Sequence, residues 1–333
     1  MPTRRHVLAG LAVLPSFSPA FAAGNPLRSV KTWMYLLQRL EEPALIEQAA
    51  ASNYDLFVIE PGLDFKDGAY DAAGLVKALR TKPDGNKRLL LAYIDIGQAE
   101  DFRSYWARDW KPPTSGKPGF PEFLLAPDPD GWAGDYGVAY WHPEWKSIWL
   151  GENGLISRLA KRGFDGVYMD WVAACEEQSV RRAAAKAGLD PAREMMSLIK
   201  AIRTEGQKVN PDFLVVPQNA ADLIDSDPEF YAAIIDGLGV EDTWHRGSAN
   251  ASWNSKRAGD LKPSGDETTA RKIASYLRYL DRGIPVFTID YCVSKKNAAR
   301  VYKEAQAAGL VPLVTRVSLD HMTETPPPEL RTP

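Results

Sequence analysis

Between residues 30 and 316 the chain repeats one pattern eight times, a short apolar run followed by a break and, in most cases, a stretch of helical periodicity. The apolar runs fall at 30–38, 56–61, 89–97, 164–171, 213–219, 237–242, 285–291 and 311–316, and each reads as a buried strand. Helical stretches at 43–51, 72–79, 155–161, 192–210, 222–235, 268–282 and 295–308 lie between them. Glycine or asparagine closes several, as at Gly163, Asn210, Gly283 and Gly309. Eight strands alternating with helices predict an α/β fold, a (β/α)8 TIM barrel spanning 29–320, with a doubly wound open sheet as the alternative.

The run at 164–171 shows where such a fold keeps its chemistry. Phe164, Val167, Tyr168 and Met169 are apolar, and the run stops at Asp170. Alternation along a strand puts Tyr168 and Asp170 on one face, toward a barrel axis, and Val167, Met169 and Trp171 on the other. The other strands end in the same way. Gln38, Glu60, Asp95, Gln218-Asn219, Glu241-Asp242, Asp290-Tyr291 and Arg316 stand at or near their C-terminal ends. Strand ends of a barrel converge on one pocket, so the sequence predicts a carboxylate-rich cup lined with amides, a surface suited to sugar hydroxyls.

Two connections are too long to be turns. Residues 98–154, after the third strand, hold six of the ten tryptophans: Trp106, Trp110, Trp132, Trp141, Trp145 and Trp149. Residues 244–265, after the sixth, carry Trp244, His245 and Trp253. Both are expected on the active-site rim, where one or two tryptophans stack on ligand while the rest pack.

The ends of the chain read differently. Arg4-Arg5, an apolar run at 7–14 and the triplet Ala20-Phe21-Ala22 form an export signal over 1–22 with a twin-arginine character, which predicts a periplasmic or secreted protein. The apolar run is shorter than the ~20 residues that span a bilayer, so no membrane anchor is expected. Residues 321–333 are a proline-rich tail, disordered or laid on the surface. A net charge of -3 offers no basic field for nucleic acid. With two cysteines, Cys175 and Cys292, there is no disulfide framework.

Paired carboxylates are the chemistry this set of strand ends supports best. Asp170 as nucleophile and Glu241 as acid/base sit on the fourth and sixth strands, one strand apart, a spacing compatible with a retaining glycosidase pair. Burial near Trp244 would raise the glutamate's pKa and suit it to donate a proton. Bland roles compete with this. Asp170 could cap the next helix, Glu241 could pair with Arg316, Asp95 and Asp290 could bridge to Arg316 or Arg103, and Glu60 could end its strand at the Pro61-Gly62 turn. Expected substrate contacts are Gln38, Glu60, Tyr93, Asp95, Trp141, Tyr168, Gln218, Asn219, Trp244, Asp290, Tyr291 and Arg316. The four histidines show no zinc spacing, although an oxygen-only calcium or magnesium site stays open. Neither a G-x-S-x-G elbow nor a nucleotide-binding glycine loop is present.

The chain resembles glycoside hydrolase family 114, the endo-α-1,4-polygalactosaminidase-like enzymes and the relatives once labelled cysteinyl-tRNA synthetase related. The likeness covers roughly 33–316 and is most specific at Leu91-Ala-Tyr-Ile-Asp-Ile-Gly-Gln-Ala-Glu-Asp-Phe-Arg-Ser-Tyr-Trp106, Trp141-His-Pro-Glu-Trp145, Gly163-Phe-Asp-Gly-Val-Tyr-Met-Asp170 and Val240-Glu241. It implies a (β/α)8 barrel, hydrolysis of α-1,4-linked galactosamine-containing polysaccharide without a cofactor, and catalytic carboxylates at Asp170 and Glu241. Glu60 stands where many members show aspartate, so fold and site geometry transfer better than substrate. A non-catalytic carbohydrate-binding protein on the same scaffold is the alternative, with polysaccharide or oligosaccharide as partner in either case.

Overall fold

Each expected apolar run contains a strand. A computed structural model describes residues 24–66, 70–263 and 268–331; the expected export signal lies outside the described residues. In chain order the elements are β1 (Trp33–Leu36), α1 (Pro43–Ala50), β2 (Leu56–Ile59), α2 (Ala72–Leu79) and β3 (Leu89–Asp95). The long connection follows with β4 (Gln98–Glu100), β5 (Leu124–Pro127), β6 (Asp135–Val138) and α3 (Pro143–Trp149). The alternation then resumes with α4 (Leu155–Lys161), β7 (Gly166–Asp170), α5 (Gln178–Ala187), α6 (Pro191–Gln207), β8 (Leu214–Pro217), α7 (Pro228–Ile234) and β9 (Leu238–Glu241). It ends with α8 (Thr269–Leu280), β10 (Val286–Tyr291), α9 (Lys295–Ala307) and β11 (Val311–Thr315).

The eight strands of the alternation are parallel and run in the cyclic order β1-β2-β3-β7-β8-β9-β10-β11. Their ladders form a five-stranded and a three-stranded sheet. Gln218 and Gly239 bridge the seam between β8 and β9, and Asn219 N donates to Gly239 O at 2.8 Å. At the other seam the Trp33 indole donates to Val311 O at 3.0 Å, and the amide of Leu37 donates to Leu319 O at 3.0 Å. The barrel interior is aromatic: Tyr35 packs on Tyr168 at 5.3 Å and on Tyr93 at 6.2 Å, while Trp33 meets Phe287 edge-on at 5.8 Å. Tyr168 therefore faces the axis, as strand alternation requires of the residue two before Asp170. So large a ring needs a gap opposite, and Gly239 supplies it; a Cβ there would collide with the Tyr168 hydroxyl.

Two elements depart from the sequence reading for local reasons. The expected helix at 222–235 is split, with a 3-10 turn at Ala221–Ser226 and α7 starting afresh at Pro228. Asp227 precedes that proline, is pushed out of helical geometry, and caps the new helix by accepting from Phe230 N. Residues 98–154 are no open loop. Strands β4, β6 and β5 pair antiparallel, and most aromatic residues of the insertion pack into or against the hydrophobic core. Trp145 lies fully buried among Tyr105, Phe123 and Trp149, with ring centroids within 5.7 Å, and its indole donates to Ile96 O at 3.0 Å.

Near the C-terminus Thr323 donates to Val314 O at 2.6 Å, and Tyr302 on α9 donates to Thr325 O at 2.8 Å, so residues 323–325 lie against β11 and α9. Cys175 and Cys292 are both buried free thiols.

Candidate active site

A cavity of about 1120 Å³ opens at the C-terminal ends of the parallel strands. Asp170 and Glu241 both line it, on β7 and β9 with β8 between them. Asp170 Oδ2 accepts from the Tyr93 hydroxyl at 2.8 Å and Oδ1 from the Trp171 amide at 2.7 Å. Burial raises its pKa, and the nearby Glu241 charge raises it further, to about 7. Asp170 does not cap the following 3-10 turn, whose cap position is Trp171.

Glu241 is held by more donors. Gln218 Nε2 and Asn219 Nδ2, the latter at 3.4 Å, donate to Oε2, and the Tyr291 hydroxyl donates to Oε1. Burial still lifts its pKa above the ordinary carboxylate value, while these three donors and the Lys272 charge pull it back. No pairing with Arg316 forms: that guanidinium binds Glu324 at 2.7 Å and lies over the Trp253 ring.

Asp95 and Asp170 are register partners on adjacent strands, so a third carboxyl stands beside the pair. Asp95 Oδ1 accepts the amides of Gly97 and Gln98 at 3.0 and 2.8 Å. Burial, and then the charge of Asp170, push its pKa well above the usual range. Glu60 lines the cavity from a buried ion cluster, where Arg103 reaches Glu60, Asp64 and Glu100 at 2.9, 3.0 and 2.8 Å. Arg103 therefore bridges neither Asp95 nor Asp290, the carboxylates expected for it, because its guanidinium is taken up by these three closer ones. Gln38 also lines the cavity, with Tyr93, Gln218, Asn219 and Tyr291.

Five expected contacts do not line it. Tyr168 is buried one layer below, in the aromatic interior. Asp290 and Tyr291 are consecutive in a strand, so only one can face the axis, and it is Tyr291. Asp290 is fully buried, and its Oδ1 instead accepts the amides of Trp244 and His245 at 2.6 and 2.8 Å. Trp244 is buried with its indole on Glu304. Trp141 packs edge-on against Tyr140 at 5.1 Å, and Arg316 is held by Trp253 and Glu324 as above.

Other lining groups escaped the sequence reading. Tyr35 sits in the wall, and the period-two aromatic pair Trp33 and Tyr35 was its only signal. The carboxylates Glu100, Asp130, Asp135 and Glu177 come from the β4–β6 insertion and the segment after β7, and of the six tryptophans expected on the rim Trp132, 38% exposed, lines the cavity. Residues 246–252 form part of the opposite wall. Asp135 is lifted to about 8, first by burial and then by the charges of Glu100 and Asp128.

Barrel and carboxylate cup together define a class, and solved structures share the fold. The glycoside hydrolase domain of PelA from Pseudomonas aeruginosa superposes with a TM-score of 0.56 at 16% identity, over 89% of this chain and 98% of that one. Aspergillus fumigatus Ega3, solved in complex with galactosamine, gives 0.56 at 17% identity, over 89% and 95%. Among curated sequences, an uncharacterized protein of Deinococcus radiodurans is 35% identical over 92% of this chain and 85% of its own length. The family model of glycoside-hydrolase family GH114 matches residues 18–330, and the chain belongs to that family.

Proposed function

We propose that this GH114 protein is an exported endo-acting hydrolase of α-1,4-linked galactosamine-containing polysaccharide, working through Asp170 and Glu241. The observation that carries the reading is the placement of these two carboxyls on one cavity, close enough for the charge of one to raise the other. In a double displacement, Asp170 attacks the anomeric carbon while Glu241 protonates the departing glycosidic oxygen. Glu241 then takes a proton from water, which attacks the same carbon and releases Asp170. Backbones two strands apart are separated by about 9.6 Å, and a glutamate arm reaching inward narrows that gap toward the spacing of about 5–5.5 Å that a retaining pair needs. The galactosamine bound by the structurally similar Ega3 and the acidity of this cavity support an amine-bearing sugar. A bound ammonium would offset the burial and the neighbouring charges of Glu100 and Asp128 that together raise Asp135.

One observation favours a second assignment of roles. Glu241 has three side-chain donors on its carboxylate, whereas Asp170 has one and the Trp171 amide, so hydrogen bonding stabilises the ionised form more at Glu241. Reversed roles would make Asp170 the acid.

Purified protein incubated with α-1,4-galactosamine oligomers and polymer, with anomers followed by NMR, tests the reading. Wild type should release product, and Asp170→Asn and Glu241→Gln should each lose about 10²- to 10⁴-fold in rate. Azide should give a glycosyl azide of inverted configuration from the variant that lacks the nucleophile and one of retained configuration from the variant that lacks the acid/base. Cleavage at the wild-type rate by both variants would remove the assignment, and polymer binding with no product from any substrate would mark a binding protein.

A further inference from the structure

Glu241 is gripped by two side-chain amides, and the two are fixed by different means. An amide has an accepting end and a donating end, and only the donating end suits a carboxylate. Asn219 is set by its own neighbour: its Oδ1 accepts from Glu241 N at 3.1 Å, which turns Nδ2 toward the carboxylate. Gln218 has no such backbone tie on its side chain. Its Oε1 accepts instead from the hydroxyl of Tyr35 at 3.1 Å, which turns Nε2 onto Glu241 Oε2.

We propose that Tyr35 is a positioning residue of this site, acting through Gln218 to decide which end of that amide faces Glu241. Tyr35 and Gln218 are each 1% exposed, so neither can exchange its partner for bulk water. The phenol is also wedged among Trp33, Tyr93 and Tyr168, at centroid distances of 6.1, 6.2 and 5.3 Å. The Gln218 backbone is anchored from behind, its main-chain N–H donating to Met169 O at 2.8 Å. A residue of β1 thereby reaches across the barrel to a carboxyl on β9, a link that strand order alone would not suggest.

Loss of the phenol would free the Gln218 amide to turn. With Oε1 against Glu241, two acceptors would meet unless Glu241 carried a proton to donate, so the turned state selects protonated Glu241. The remaining groups around Glu241 are Asp170 and Tyr168 from β7, Tyr291 from β10, Lys272 from α8 and the adjacent Asp242. None of them contacts the Gln218 side chain by a hydrogen bond among the described residues, so the relay is separable from them.

The inference rests on Glu241 being one of the paired carboxyls, but its test does not need turnover. Glu241 titration is followed by the ¹³C shift of its carboxyl, assigned by its loss in Glu241→Gln, beside the pH profile of kcat/KM. Tyr35→Phe should raise the Glu241 titration by about one unit, a tenfold change in protonation, and move the corresponding limb of the profile upward by as much. Gln218→Met should do the same, and adding Tyr35→Phe to Gln218→Met should add no further shift. An unchanged titration in Tyr35→Phe, or an equal second shift in the double variant, overturns the relay. A shift in a protein that cleaves nothing would keep the relay and remove the hydrolase reading.

Discussion

Tyr93 and Asp170 stand on neighbouring strands, β3 and β7, diagonally across the ladder, since Tyr93 pairs with Tyr168 and Asp95 with Asp170, and the phenol donates to the carboxylate at 2.8 Å. The contact and the Trp171 amide favour the ionised form, yet burial and then the charge of Glu241 still raise the carboxyl to about 7. The barrel has thus set a strand-end aspartate at the edge of ionisation near neutral pH, where an acid or a nucleophile can both be drawn from it.

Removing that donor should push Asp170 higher still. If Asp170 is the ionised nucleophile, Tyr93→Phe should shift the acidic limb of kcat/KM upward, with about a tenfold loss at pH 6 that recovers by pH 8.5. A pH–rate series on the two proteins decides it. An equal loss at every pH would mean that Tyr93 does not act through the charge of Asp170.

The tryptophans of the insertion should divide by exposure. Trp132 lines the cavity and is 38% exposed, so Trp132→Ala should leave the melting temperature nearly unchanged and weaken polymer binding by about 0.5–1.5 kcal/mol. Trp145 is fully buried and hydrogen-bonded, so Trp145→Ala should cost about 3–5 kcal/mol in urea unfolding. Calorimetric titration with galactosamine oligomers beside unfolding curves measures both. A Trp132 variant that binds normally would take that ring out of the substrate path.

Stability should fall as pH rises from 5 to 9. Asp170 and Asp290 are raised to about 7, and Asp135 and Asp242 to about 8, in each case chiefly by burial. Folded values above the unfolded value of about 3.9 mean that the native state holds protons the unfolded chain has released. Their contribution is complete below about pH 4 and is lost as pH rises through 7 to 8. Depressed groups such as Asp55 and Asp222 act in the opposite sense, but only in acid. Melting curves across this range should show the decline, and Asp135→Asn should raise the melting temperature by about 2 °C or more at pH 9 relative to pH 5. A wild-type melting temperature that climbs with pH contradicts the expectation.

Apolar periodicity by itself determined the eight strands, their parallel alternation with helices and the end of the barrel where polar strand ends gather. The physical reason is that a strand buried on both faces must be apolar until it leaves the sheet, so its terminus is visible in the sequence. Asp170 and Glu241 were legible in this way, and family motifs gave them roles to test. Tertiary structure alone decided which neighbouring side chains join them. Asp290 and Tyr291 show why: side chains alternate with a period of two, so one position of uncertainty in a strand's phase exchanges pocket for exterior. Arg103 could not be assigned to Glu60, Asp64 and Glu100 because those contacts span up to 43 residues and depend on how the insertion folds back. The link from Tyr35 to Gln218 spans 183 residues and crosses the barrel interior. It exists only because closing the strands into a ring brings β1 and β8 face to face.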